Sequence, residues 1–591
     1  MKQSAGLPLS GRILASVSWK GFILVKVVYT LLAIVLAGLF WDADFHISRG
    51  LLNFLPMLIL FVFLLLVVNS WFISTMAVSG LLAALYSLSA VKLEVWHKPI
   101  TPADLHYLSN LSDLWDVLKA YSNLYLFISL PTLFVALVAL AYFRKVDRKI
   151  DRFLVYTRDA RGLVKRLLVI TIAMIVLGVW IQQLVDFSSS MHRIYHAFST
   201  RQGVSRLKRS LEEDGLFTYF ISRLPLFEIK MPRFDGTMMS VQLPTVSARK
   251  MAETSVKPDI FVWINESTFD PQYLKLDCPG MTSFKMFQDH PANVASGLLN
   301  VHTFGGRTWM SEFGFFAGIP PLIFGPGGSC SPYTLVPRLK ESLGTHLRSR
   351  GYRTVVLNPV SGRFMDSIST YEHYGMDEFY DPKDLGYPDP ESWHIPDDFF
   401  EEQAIRVLQN HNGPMPLFLV VLTMGNHGPH GRKNRTETPD CLSAKLSGKS
   451  ARQLDDYLER LQKTDMAVES LTSYIMTRHR PTIFLYFGDH LPAFTDEMSD
   501  ALFDAERGVD KMKTTFHIRT NYPVAHPVLP HILDISFLAG VVLDLAQLNN
   551  SPFFRFNAFM RNYVEGKMPM KAGTDPYVNR YFALIVNQIK R

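Results

Sequence analysis

The sequence predicts a helical membrane domain followed by an α/β domain outside the membrane, and three observations carry that prediction. In a chain of 591 residues the 48% hydrophobic content is high for a soluble protein, and nearly all of the excess falls before about Val185. From residue 258 onward short apolar runs alternate with helix-like segments, the signature of an α/β fold with a mainly parallel sheet. Those apolar runs end in ionisable or amide residues, at the edge where open α/β sheets bind ligands.

The first part holds five apolar runs, Phe22 to Trp41, Leu51 to Val68, Phe72 to Val91, Leu124 to Phe143 and Leu167 to Val185. Each approaches the ~20 residues that a helix needs to cross ~30 Å of hydrocarbon, a length that fits membrane spans better than buried helices of a soluble core. Lys26 interrupts the first run, near enough to a helix end for its ammonium to reach the interface. That run is too long for a cleavable signal, and no small-residue cleavage site follows it.

Between the fourth and fifth runs lie Arg144, Lys145, Arg148, Lys149, Arg152, Arg158, Arg161, Lys165 and Arg166, whereas "DADFHISRG" after the first run holds one arginine. The positive-inside rule puts this loop and the N-terminus in the cytoplasm, so five crossings leave everything after Val185 outside. The net charge of +7 is largely this loop, and no base-stacking module accompanies it, which excludes nucleic acid as a partner. Leu108, Leu111, Trp115 and Leu118 recur at helical spacing and predict an amphipathic helix on the membrane surface. Basic and aromatic residues mixed over 191–224 read as juxtamembrane helices, and a Pro-punctuated linker follows from Met231 to Lys257. The expected organisation is a membrane domain over 1–186, helices and linker over 187–257, and a catalytic-sized domain over 258–591.

In that last domain "DIFVWINE", "TVVLNP", "PLFLVVLT" and "TIFLYFGD" suit buried strands. Their ends contribute Glu266, Asn358, "MGNHGPH" with His427 and His430, and "GDH" with Asp489 and His490. A carboxylate directly after an apolar strand is costly if its charge is left unpaired, so Glu266, Asp489 and His490 suggest a cation between them; the bland alternative is three separately solvated loop residues. Oxygen ligands with one imidazole suit Mn²⁺, Mg²⁺ or Zn²⁺. "HTFGGRTWMSEF" adds Thr308 after two glycines and an arginine. A turn threonine usually bonds only its neighbouring backbone. Beside a divalent ion its hydroxyl gains acidity as a bound water does, whose pKa falls from ~16 to ~7, and no separate general base is needed.

"NESTFD", "GGRTWMSEF", "YEHYGMDEFYD", "LTMGNHGP" and "YFGDHLPAF" occur in this order. Taken together they resemble the lipoteichoic acid synthases and periplasmic glucan phosphoglycerol transferases of the alkaline phosphatase and sulfatase superfamily. The resemblance implies a bacterial cytoplasmic membrane protein whose α/β domain, alkaline-phosphatase/sulfatase-like, lies outside. It implies ligation of one divalent ion, manganese ahead of magnesium or zinc, by Glu266, Thr308, Asp489 and His490. Thr308 would be the nucleophile that takes a phosphoglycerol-type head group from a phospholipid, phosphatidylglycerol first, for an external glycan or polymer acceptor. His427, with Asn358 and Arg363, would bind the substrate.

This chain also departs from that family. The tryptophan and arginine that embrace glycerol phosphate should fall near Met365 and Ser367, where neither type is present. Arg363 is the nearest substitute cation; its plainer reading is a solvated loop arginine. A phosphoethanolamine transferase of the same superfamily is the alternative activity, and a catalytically silent membrane sensor a weaker one. "CSPYT", Cys330 to Thr334, resembles the sulfatase Cys-x-Pro-x-Arg site, but Thr334 stands at the arginine position. The three cysteines allow one disulfide in an oxidising compartment, and Cys278 with Cys330 is the expected pair.

Overall fold

The structure is a computed structural model, and it describes residues 47–70, parts of 73–89, 100, 160–185, 220, 229–236 and 257–590, except 277, 279, 280, 282, 283, 391, 432–439, 499–501, 549 and 550. The helical residues before 186 and the residues from 229 onward belong to two compact units.

In the first unit, α1 (Ile47–Val68) contains the second apolar run and α2 (Ala160–Val185) the fifth. Helix α2 starts before its run, with Arg161, Lys165 and Arg166 in its first two turns. Among the described residues one helix is long and apolar enough to cross a membrane, Ala160–Gln183, and Leu167, Ile172, Ile175 and Val176 are exposed along it. The third run is described only in part, with helical residues at 73–75, 77, 78, 80, 81, 85, 88 and 89. The runs at 22–41 and 124–143, the amphipathic segment 108–118 and nearly all of 191–224 lie outside the described residues.

The second unit is built on one eight-stranded sheet: β1 (Asp259–Asn265), β2 (Asn293–Asn300), β3 (Arg353–Leu357), β4 (Glu378–Tyr380), β5 (Leu417–Leu422), β6 (Thr482–Gly488), β7 (Lys513–Thr520) and β8 (Ile532–Asp534). The order is β4-β3-β5-β1-β6-β7-β2-β8. Strand β7 pairs antiparallel with β6 and β2, and every other pairing is parallel. The sheet is thus mixed but mainly parallel, and the ends of β1, β2, β3, β5, β6 and β8 share one edge.

Besides the single helical turns Ser331–Thr334 and Asp440–Ser443, the described helices of this unit are α3 (Thr308–Ala317), α4 (Leu343–Ser349), α5 (Ser367–His373), α6 (Asp397–Asn410), α7 (Gly448–Thr477), α8 (Leu538–Leu545), α9 (Pro552–Tyr563) and α10 (Pro576–Gln588). Strands β1, β5 and β6 are buried along their whole length, so both faces are covered. Because side chains alternate along a strand, Ile260, Val262 and Ile264 join Phe418, Val420, Ile483 and Leu485 in a core with Phe313 and Phe316 of α3, Leu347 of α4, Val541 of α8 and Phe554 of α9. Phe316 stacks on Tyr374 at 4.5 Å between centroids. On the opposite face Phe261 stacks on Phe484, and buried Arg519 lies over Tyr486 while bonding Glu469 and Thr472 of α7.

Residues 229–236, near the start of the predicted linker, lie on this unit. The Lys230 N–H donates to Phe324 O (2.8 Å) and the Asp235 N–H to Asn579 Oδ1 (2.9 Å). The disulfide corrects the expected pairing: Cys278 bonds Cys441, with their Cα atoms 5.5 Å apart. Cys330 is buried behind the start of α3, where the neighbouring Ser329 carbonyl accepts from Trp309 Nε1 (2.8 Å). The Thr334 hydroxyl donates to the Cys330 and Gly327 carbonyls (2.9 and 3.1 Å) within the single helical turn Ser331–Thr334 of "CSPYT".

Candidate active site

The register of the sheet makes the site. Asn265 of β1 lies opposite Gly488 of β6, so the next residues on each strand, Glu266 and Asp489, leave the sheet side by side. Gly488 is required there, because a Cβ would stand 1.8 Å from the Thr268 carbonyl oxygen. Ser267 follows in a left-handed conformation (φ 50°), which lets its N–H donate to Asp489 Oδ1 (2.7 Å) and its hydroxyl to Glu266 Oε1 (2.6 Å). Holding a non-glycine residue in that region costs of order 1–3 kcal/mol, and such strain collects at functional sites.

His490 comes next on β6's exit. Its Nδ1 lies 3.0 Å from the Leu491 carbonyl, which can only accept, so Nδ1 carries the proton. The other nitrogen, Nε2, then offers a lone pair 3.2 Å from Asp489 Oδ2 and 3.7 Å from Glu266 Oε1. Ligand atoms of Glu266, Asp489 and His490 all lie within 4.8 Å of one another, and all three residues are buried. Three acceptors converging away from water form a donor set for a cation, and two carboxylates with one imidazole suit a divalent metal. The residues present therefore fit the ion that the sequence suggests.

The electrostatics of the pair agree. Burial would push Glu266 up, but the charge that His490 and His427 carry when protonated, with the Ser267 and Thr308 hydroxyls, outweighs it and holds the carboxyl below its ordinary range. Asp489 goes the other way, driven well up by burial and by the Glu266 charge against its hydrogen bonds.

Thr308 is the first residue of α3, half-buried, and its Oγ1 donates to Glu266 Oε2 at 3.2 Å. The approach is wound tightly: Gly305 (φ 59°) and Arg307 (φ 69°) are left-handed, and the Thr303 hydroxyl donates to Gly306 O (2.6 Å). Gly305 N–H donates to Leu491 O (3.0 Å) and the Ser311 hydroxyl to Asp489 O (2.6 Å), so the threonine's helix is tied to the strand end that carries Asp489 and His490. Before the loop, His302 Nε2 meets Asp534 at 3.0 Å. The helix N-terminus adds backbone N–H groups and a positive dipole end where an anionic group would sit.

The other expected residues are distributed around this centre. His427 is half-buried; its Nδ1 lies 2.7 Å from Gly428 O, and burial lowers its pKa although the Glu266 charge opposes. His430 packs against Tyr457 and Phe494 with Nε2 at Asn426 O (3.0 Å), an interior position rather than one in the cluster. Asn358 caps the end of β3: its Oδ1 accepts from Val360 N (3.0 Å). Arg363 is exposed on a turn whose next residues, Met365 and Asp366, are left-handed (φ 52° and 53°).

Three residues near the site, Trp393, Phe364 and Glu312, were not picked out from the sequence. Trp393 packs on the His427 ring at 5.4 Å, and Phe364, next to Arg363, meets Trp393 edge-on at 5.1 Å. This row joins the Arg363 turn to His427. Glu312 lies on α3 four residues after Thr308; burial pushes it up to about 8, the Tyr371 hydroxyl opposing and the Asp489 and Glu266 charges adding. The i, i+4 spacing from Thr308 could have flagged Glu312, whereas nothing local marks Trp393.

The Sulfatase family profile matches residues 259–524. An uncharacterized protein of Haemophilus influenzae is 31% identical over 399 residues, which span 65% of this chain and 71% of that protein. A Rhizobium meliloti protein assigned provisionally to cyclic beta-1,2-glucan modification is 27% identical over 282 residues, 47% of this chain and 43% of that protein. Among solved structures, a Streptococcus pyogenes phosphoglycerol transferase in complex with sn-glycerol-1-phosphate is 18% identical, with 56% of this chain and 85% of that one covered and a TM-score of 0.45.

Proposed function

Because the chain belongs to the sulfatase family, within the alkaline phosphatase superfamily, we propose that it is a membrane-bound, metal-dependent transferase moving a phosphoglycerol-type head group from a phospholipid to an extracytoplasmic glycan or polymer. The observation that carries this reading is Thr308 Oγ1, half-buried at a helix N-terminus, 3.2 Å from Glu266 Oε2 beside the Glu266, Asp489 and His490 cluster. A hydrolase could use water there, but a hydroxyl fixed at the cluster is suited to become a covalent carrier.

Glu266, Asp489, His490 and the Thr308 oxygen would hold one divalent ion, manganese in the first instance. When bound, that ion supplies charge that lowers the threonine hydroxyl's pKa and balances the phosphoryl oxygens. In the first half-reaction Thr308 Oγ bonds to phosphorus, the bond from phosphorus to the diacylglycerol oxygen breaks, and that oxygen takes the proton the threonine gave up. In the second, an acceptor hydroxyl bonds to phosphorus, and Thr308 Oγ leaves and regains a proton. The N–H groups at the start of α3 would receive the phosphoryl oxygens, and His427 and Arg363 would hold the head group.

In this reading residues 1–186 form five crossings, 187–257 lead out of the membrane, and 258–591 do the chemistry outside. The glucan-modifying assignment of the Rhizobium relative agrees with a glycan acceptor. One observation favours a second head group. The Phe364, Trp393 and His427 row offers ring faces that attract an ammonium, as phosphoethanolamine would require. The deciding experiment incubates the purified protein with labelled phosphatidylglycerol or phosphatidylethanolamine and measures its mass. A glycerophosphoryl adduct on Thr308 is expected; an ethanolamine adduct shifts the donor, and no adduct with either, in a protein that turns over, overturns the covalent reading.

A further inference from the structure

We propose that Arg460 of α7 is a positioning residue that sets the ring of His427, an inference that rests on the reading of His427 as a head-group contact. The stretch from Gly425 to Gly431 leaves β5 as a loop, yet its backbone is held at short intervals. Gly425 N–H donates to Asp397 Oδ1 (2.9 Å), and Asn426 Nδ2 donates to Thr464 and Thr268 (3.0 Å each). Beyond them Arg460 takes over. Its Nη1 donates to His427 O (2.8 Å) and its Nη2 to Pro429 O (3.2 Å). The same guanidinium pairs with Asp456 at 2.8 Å, and Asp456 Oδ2 accepts from Gly431 N (2.8 Å). One Arg and one Asp, a helical turn apart, thus hold both ends of the segment from 427 to 431.

The carbonyl between the two that Arg460 holds is that of Gly428, which lies 2.7 Å from His427 Nδ1. A carbonyl only accepts, so Nδ1–H donates to it, and the plane of the imidazole follows the direction of that carbonyl. Arg460 fixes the peptides on either side and so fixes the ring and the direction of its other nitrogen. A planar fork with five donors can do this; an ammonium cannot reach two carbonyls and a carboxylate in fixed directions at once. Its side chain is 16% exposed and Asp456's is 4%, so water competes little for these bonds.

The test uses the full chain in detergent, with diacylglycerol release from phosphatidylglycerol as the readout, for the parent, Arg460→Ala, Arg460→Lys, His427→Ala and the double variant Arg460→Ala/His427→Ala. Arg460→Ala should raise KM at least fivefold with kcat within twofold and metal content unchanged, and Arg460→Lys should fall between it and the parent. If Arg460 acts through His427, removing it from His427→Ala changes neither constant further, the signature of two residues acting as one unit. An equal loss in both backgrounds, or a fall in kcat at unchanged KM, makes Arg460 a structural residue and overturns the proposal. Should Arg460→Ala not fold, Arg460→Lys with and without His427→Ala carries the same comparison. If the parent releases no diacylglycerol, the head-group reading fails separately, and the same cycle is run on bis(p-nitrophenyl) phosphate, where coupling between the two residues supports the positioning role and its absence overturns it.

Discussion

Asp397 offers a pH-dependent test of how the loop carrying His427 is held. It opens α6, is buried, and accepts from Gly425 N (2.9 Å) and from the Thr464 hydroxyl (2.6 Å). Burial nevertheless pushes its carboxyl from 3.8 up to about 6, those bonds opposing. At low pH both folded and unfolded chains are protonated; as pH rises from about 4 to about 6 only the unfolded chain gives up the proton, so stability is lost across that window. Two pKa units at ~1.4 kcal/mol each make the loss ~3 kcal/mol. Asp397→Asn cannot titrate. Its amide oxygen can still accept from Gly425 N, while its NH₂ faces a Thr464 oxygen that already accepts from Asn426, a rearrangement worth ~1 kcal/mol. The variant should therefore be ~1 kcal/mol less stable than the parent at pH 4 and ~2 kcal/mol more stable at pH 8. With ~2.1 cal/mol/K per residue over about 330 residues, the difference between the two melting temperatures should move by ~4 °C across that range. Thermal unfolding followed by tryptophan fluorescence at both pH values measures it. A constant difference would mean that Asp397 is ionised throughout, and that its two hydrogen bonds outweigh burial.

The remaining predictions concern the site and the core. Manganese at about a hundredfold over its Kd should stabilise the parent by ~2.7 kcal/mol, and Asp489→Asn or His490→Ala should abolish that gain; a melting temperature equally responsive in the variants refutes the ligand set. Thr308→Ala should lose all turnover yet keep its metal, because three of the four proposed ligands remain; residual activity near the parent's removes the threonine from the chemistry. Phe316→Ala, which removes a ring stacked on Tyr374 in the buried core, should destabilise the protein by ~3–5 kcal/mol in unfolding experiments.

The parts of the fold and site that the sequence made legible are those set by chemistry close along the chain. Four buried strands are continuous apolar runs with a polar residue at the end, and the structure has them as β1, β3, β5 and β6 at the centre of the sheet. Glu266, Asp489 and His490 could be read because a carboxylate straight after such a run has few inexpensive fates. Strand β7 was missed: "KTTFHIRT" places His517 and Arg519 in a buried strand, where the polar face is compensated by Tyr486 stacking and by Glu469 and Thr472 of α7. The cysteine pairing failed for a similar reason. Cys330 closes the 3-10 helix Pro326–Cys330 and is buried behind α3, and the partner of Cys278 stands 163 residues away.

On the proposed reading of His427 as a head-group contact, the ring beside that contact need not stand at the position where the motif alignment looks for it. Expecting a tryptophan at Met365 presumes that a pocket wall stays at one position in the chain. In the structure Met365 is buried in a left-handed turn and receives the Tyr333 hydroxyl on its sulfur, so its side chain serves the packing beneath. The indole beside His427 comes from Trp393, on the segment that enters α6. Position 393 follows neither a strand nor a glycine turn, so no periodicity marks it. What brings it to the site is Asp397, four residues later, bonded to the loop that carries His427. The strand ends that carry Glu266, Asp489 and His490 are constrained by the register of β1 and β6 and cannot drift. A ring wall needs only to stand near the pocket, and any segment anchored beside it can provide one. Under the proposed function, substrate preference is therefore to be sought in the anchoring of α6 and α7 to that loop as much as in the residues proposed to touch the substrate.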